Sequence, residues 1–160
     1  MKLSETLNSS LNQQILHELR NQNIYSQIES FFEDLQLKNL AKYFRNQSLQ
    51  EKSHADKFIQ YINSRTGGKV TLSQVDSPSL SLNSIEDVAN AIVLTEEGTT
   101  ESIEALMDLV LEEKSYIDIG FIESMLNEQV EEEDSVNKLA LNLKMCKDIV
   151  LFDHMFEVGD

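Results

Sequence analysis

Residues 50–58 read QEKSHADKF and place an ionisable pair, Glu51 and His54, where a helix should be apolar. Steps of three and four residues through this region give one continuous stripe: Leu37, Leu40, Phe44, Gln47, Glu51, His54, Phe58 and Tyr61. This spacing predicts an amphipathic helix that buries the stripe. Burying a carboxylate and an imidazole is costly unless a partner compensates for the lost water, so the fold has to supply that partner.

The composition favours one acidic, helical domain. The chain has 160 residues, of which 41% are hydrophobic, and only five Gly and one Pro interrupt it. That length is enough for one domain with a real core, and the few breakers favour long helices. With 28 acidic against 13 basic residues the net charge is −15, which argues against nucleic acid as a partner.

The sequence also carries expectations about location. Cys146 is the one cysteine, so no internal disulfide framework is possible and a reducing compartment is expected. The N-terminal stretch MKLSETLNSSLNQQ lacks the apolar segment of a signal peptide. No apolar run approaches the roughly 20 residues of a membrane-spanning helix. We therefore expect a cytoplasmic protein without a membrane partner.

Hydrophobic periodicity divides the chain into four long helices with short, long and short connections. The predicted helices cover about 5–35, 38–65, 84–112 and 116–145, and residues 149–156 could form a short fifth one. The long connection, residues 69–83, contains Pro78 and must run the length of the bundle. The sequence thus predicts an all-α, antiparallel four-helix bundle with one long crossover. We expect residues 1–148 to form it and residues 149–160 to form a tail.

Each predicted helix has polar residues on its buried face near mid-length: Glu18, Glu51 with His54, Glu96, and Gln129 with Glu132. They should converge at one level of the bundle. Several buried carboxylates repel one another, and a multivalent cation would neutralise them. Carboxylate oxygens with an imidazole nitrogen form a ligand set that suits Fe, Mn or Zn. The pattern therefore predicts a metal centre inside the bundle.

Four segments resemble the non-haem ferritins of the prokaryotic type: LNQQILHEL (11–19), IYSQIESFFED (24–34), LAKYFRNQSLQEKSHADKFIQYINSRTGGKVTL (40–72) and LNEQVEEE (126–133). The resemblance extends from about Leu7 to Leu143. It implies a ferritin-like fold, iron storage, and ferroxidase activity that oxidises Fe(II) with O2 or H2O2. It also implies a homo-oligomeric shell of twenty-four subunits, a di-iron centre and no haem.

The same resemblance assigns expected roles to residues of the buried layer. The family's first iron site falls on Glu18, Glu51 and His54. The second site shares Glu51 as a bridging carboxylate with Glu96. Gln129 is expected to support the centre through a hydrogen bond and is included among the expected metal-site residues.

The resemblance also implies roles for residues around this layer. Tyr25 matches the family's tyrosine beside the centre, where it would orient a ligand or supply an electron. Glu128, Glu131 and Glu132 match three acids of a third iron site. The fourth position of that site is Gln50, which is neutral and puts its affinity in doubt.

Other functions stay open on the sequence alone. A cage subunit that stores or nucleates metal without fast oxidation would keep the fold, although the intact ligand set argues against it. A di-metal oxygenase would need a second Glu-x-x-His on the fourth helix, where Gln129 and Glu132 stand instead. A helical interaction module would have no use for buried acids. Lys52 stands where a bacterioferritin would place its haem-ligating methionine.

Overall fold

A computed structural model describes residues 1–76 and 79–159 of the chain. Within those residues it contains five helices and no strands: α1 (Glu5–Asp34), α2 (Lys38–Ser64), α3 (Ile85–Glu112), α4 (Tyr116–Met145) and α5 (Ile149–Met155). The first four form a bundle in which α1 packs on α2 and α3 packs on α4. The predicted all-α architecture is confirmed.

Two tight turns make the paired helices antiparallel. At the end of α1, Gln36 takes a left-handed conformation with φ 61°, and the N–H of Leu37 donates to the carbonyl of Phe32. Lys114 repeats this arrangement after α3, with φ 55°. Both are helix C-terminal motifs that usually place glycine at the left-handed position. Leu35, the last residue of the predicted first helix, is 48% exposed, because the chain already turns away from the bundle there.

The crossover between α2 and α3 runs along the bundle. Residues 69–76 and 79–83 form no helix, as expected, while Pro78 of the predicted crossover lies outside the described residues. Asn12 fastens its start to α1, donating to the carbonyl of Lys69 and accepting from the N–H of Thr71. Val70 packs on one end of the core, and Leu80 packs on the other end.

The core of the described residues consists of two apolar clusters, separated by a polar layer. One cluster includes Tyr25, Phe32 and Phe44. The other includes Ile15 and Phe58. Each cluster draws side chains from all four long helices, so the helices are fixed on both sides of the layer. This arrangement holds the polar side chains at a defined depth and rotation.

The short helix α5 is docked against the start of α2. The side chain of Asp153 accepts a hydrogen bond of 2.7 Å from the N–H of Leu40. The tail thus caps α2, because the residue at its N-cap position, Leu37, has no side chain that could do so. Phe156 packs edge-to-face on Tyr43. In the described part of the chain, no helix is long and apolar enough to cross a lipid bilayer.

Candidate metal centre

The polar layer gathers buried side chains from all four long helices. Glu18 comes from α1, Glu51 and His54 from α2, Glu96 from α3, and Glu132 from α4. Among the described residues, two sets bring potential ligand atoms within 4.8 Å of one another: Glu18, Glu51 and His54, and Glu51, Glu96 and Glu132. Glu51 belongs to both sets. A carboxylate has two oxygens, so it can serve two neighbouring cations.

The first set leaves one oxygen of each carboxylate facing the imidazole. His54 Nδ1 lies 3.9 Å from Glu18 Oε2 and 3.7 Å from Glu51 Oε1. The opposite oxygens accept hydrogen bonds from α1: Gln14 donates to Glu18 Oε1 at 2.7 Å, and Asn21 donates to Glu51 Oε2 at 3.1 Å. Glu18 Oε2 is buried without a hydrogen-bond partner. A cation between these atoms would satisfy it.

In the second set, hydrogen-bond donors hold both oxygens of Glu96. Tyr25 donates its hydroxyl proton to Glu96 Oε1, and Gln129 Nε2 donates to Glu96 Oε2 at 2.7 Å. Glu132 Oε1 lies 3.2 Å from His54 Nε2, while Glu132 Oε2 is buried without a partner. Each set therefore presents one unpartnered buried oxygen, which is the arrangement expected where a cation binds.

The protonation of the layer follows from its burial. Desolvation raises the pKa of Glu18 to about 7, although the hydrogen bond from Gln14 opposes the rise. Desolvation, with repulsion from Glu96 and Glu18, raises the pKa of Glu132 to about 8. Burial also holds the pKa of Glu51 well above its ordinary value, and it lowers the pKa of His54. Without a cation, these carboxyls therefore retain protons near neutral pH.

A cavity of about 310 Å³ lies beside the layer, and the expected third-site residues Gln50, Glu128, Glu131 and Glu132 line it. Gln50 Nε2 donates to Glu132 Oε1 at 2.6 Å. Lys57 pairs with Glu128 at 2.5 Å. Glu131 is exposed. Gln50 contributes no negative charge, and the ammonium of Lys57 offsets the charge of Glu128. The cavity therefore attracts a third cation less strongly than four free carboxylates would.

The sequence analysis identified Tyr25 and Gln129 but missed the two amides that hold Glu18 and Glu51. Gln14 and Asn21 lie four before and three after Glu18, on the same face of α1, and this spacing could have identified them. His17 lies off the main apolar stripe of α1, yet it is partly buried, and its Nε2 lies 3.1 Å from Thr99 Oγ1, because α3 packs over this side of α1.

The bundle, the long crossover and the buried carboxylate layer define the ferritin-like class of four-helix proteins. A family model for the ferritin-like domain matches residues 8–146. The chain is 30% identical to a bacterial non-heme ferritin of Staphylococcus saprophyticus over 131 residues, which is 82% of this chain and 78% of that protein. A Staphylococcus aureus bacterial non-heme ferritin is 29% identical over the same shares. This chain belongs to the ferritin-like family.

Solved structures agree with that membership. The fold is similar to the open-pore ferritin of the archaeon Archaeoglobus fulgidus, with a TM-score of 0.90, 27% identity, and 95% of this chain and 94% of that chain covered. An engineered closed form of the same ferritin matches with a TM-score of 0.90 at 28% identity, over 96% and 95% of the two chains. The ferritin-like fold predicted from the sequence is confirmed.

Proposed function

We propose that this chain is an iron-storage ferritin subunit whose buried layer is a ferroxidase centre. The observation that carries the proposal is Glu51, which stands in both ligand sets and can bridge two ions. Glu18 and His54 complete the first iron site. Glu96, with Glu132, completes the second. Two Fe(II) ions bound side by side are the substrate.

The chemistry needs two electrons and a site for growing positive charge. Each Fe(II) gives one electron, and O2 takes both electrons with two protons to form H2O2, or H2O2 takes them to form water. The four carboxylates stabilise the Fe(III) product because their negative charge offsets the extra positive charge. Tyr25 holds Glu96 from the apolar side, and Gln129 holds it from α4.

Assembly into a homo-oligomeric shell of twenty-four subunits belongs to the same proposal, as does a cytoplasmic location. Large apolar side chains are exposed at one end of the bundle, on α4 and α5: Leu141, Met145, Val150, Leu151 and Met155. Contacts between subunits would cover such side chains. The net charge of −15 would attract Fe(II) to the shell. Glu128 and Glu131, with Glu132 shared from the second site, would form at most a weak third iron site.

Stopped-flow absorbance after mixing with Fe(II) in air tests the proposed function. The Glu51→Ala, His54→Ala double variant should oxidise Fe(II) at least about 100-fold more slowly than the unsubstituted protein, since it lacks the bridge and the imidazole. Glu123→Ala is the matched control, because Glu123 is an exposed acid on α4 outside the proposed iron sites. Equal rates for the double variant and the unsubstituted protein would contradict the assignment. Size-exclusion chromatography of both proteins checks that the shell is intact.

A further inference from the structure

Asn21 is a buried side chain whose amide NH2 group contacts a carboxylate of the candidate metal centre. Its Nδ2 lies 3.1 Å from Glu51 Oε2 and 2.8 Å from Thr99 Oγ1. Asn21 and Thr99 are each 1% exposed. These two hydrogen bonds thus join α1, α2 and α3 through three side chains at the level of the centre.

The direction of each hydrogen bond is fixed by counting donors. The hydroxyl of Thr99 has one proton, which it donates to the carbonyl of Thr95 at 2.9 Å. It can therefore only accept from Asn21 and from His17, whose Nε2 lies 3.1 Å away. His17 must carry its proton on Nε2. Asn21 must point its NH2 group inward, because Thr99 can only accept from it.

Both amide hydrogens of Asn21 are consequently used, one on Glu51 and one on Thr99. With the amide immobilised by Thr99, its second hydrogen holds Glu51 Oε2 on the α1 side. The other oxygen, Glu51 Oε1, is then turned toward His54 at 3.7 Å. Partners that hold a ligand in this way tune metal affinity strongly, and they do so without contacting the metal.

We infer that Asn21 is the positioning residue of the bridging carboxylate, with Thr99 and His17 fixing the amide. The inference rests on the proposed function, because Glu51 has to bridge two ions for its orientation to matter. Loss of the amide would free Glu51 to rotate, so the two ions would no longer be held by one well-oriented bridge. Loss of the Thr99 hydroxyl would free the amide and act in the same direction.

Co(II) in the absence of oxidant is a suitable probe, because it binds similar ligands, undergoes no oxidation there, and its visible absorption reports coordination. The unsubstituted protein should bind two Co(II) per chain. Asn21→Leu should weaken binding of at least one ion by about 10-fold to 100-fold and change the absorption spectrum. Thr99→Val should shift both in the same direction. Thr99→Ser, which keeps the hydroxyl, should restore them.

Asn23→Ala is the matched control, since Asn23 is an exposed asparagine on the same helix. It should leave affinity and spectrum unchanged. Asn21→Leu with the affinity and spectrum of the unsubstituted protein would overturn the inference and leave the proposed function standing. An unsubstituted protein that binds no Co(II) in the bundle would overturn both. If Asn21→Leu does not assemble, the comparison of Thr99→Val with Thr99→Ser decides the question by the same readouts.

Discussion

The raised pKa values in the buried layer predict that a divalent cation displaces protons when it binds. Metal ligands must be deprotonated, so each carboxyl that holds a proton in the metal-free protein releases it on binding. At pH 6, a Glu18 pKa of about 7 and a Glu132 pKa of about 8 leave both side chains almost fully protonated. At pH 8.5, these two carboxyls together retain only about 0.3 proton.

Release on adding Zn(II) should therefore be greater at pH 6 than at pH 8.5 by about 1.6 protons per chain from these two groups. A redox-inert cation is used so that oxidation contributes nothing. The assay is potentiometric titration in weak buffer with a zinc-only blank. Glu132→Gln should reduce the difference by about 0.8 proton per chain. Glu123→Gln, at an exposed acid outside the proposed sites, should leave it unchanged. A release that is equal at both pH values would refute the reasoning.

Two further predictions concern stability, both measured by urea unfolding of the metal-free protein. Burial alone would raise the pKa of Asp118, but hydrogen bonds from Arg65 and other donors outweigh it and lower that pKa. Asp118→Asn should cost about 3 kcal/mol at neutral pH, more than the exposed Asp108→Asn, because it leaves Arg65 without its counter-charge. The stability that ionised Asp118 provides should decrease as the pH falls and the carboxylate becomes protonated. Equal losses of stability for Asp118→Asn and Asp108→Asn would contradict this prediction. Asp153→Ala should cost about 1 kcal/mol and speed amide exchange at Leu40, whose N–H it caps; unchanged exchange there would contradict it.

The helices could be predicted from the sequence because the spacing of apolar residues within each segment determines them. Apolar residues at steps of three and four located the bundle, and the bounds of the fourth helix, Tyr116–Met145, are confirmed. The polar residues expected in the layer are brought together because they interrupt those same stripes. Spacing along the chain is therefore enough to predict that acids from four helices meet at one level.

The hydrogen bonds of Tyr25 and Gln129 to Glu96 agree with the expected roles of those two residues. The contacts of Asn21, His17 and Thr99 were not predicted, since they depend on how the helices rotate against one another. Asn21 and Thr99 are 78 residues apart, and nothing local relates them. The cap that Asp153 provides for Leu40 spans 113 residues. The contact of His17 with Thr99 arises because a position off the main stripe of α1 still faces α3 once the pairs pack together.

The most direct test of the central claim is to locate metal in the bundle. Crystals grown with Fe(II) under exclusion of air should show two anomalous diffraction peaks per chain. One peak should lie among Glu18, Glu51 and His54, the other among Glu51, Glu96 and Glu132, with Glu51 contacting both. Iron bound only at other positions, or a single peak without Glu51 as a ligand, would contradict the account.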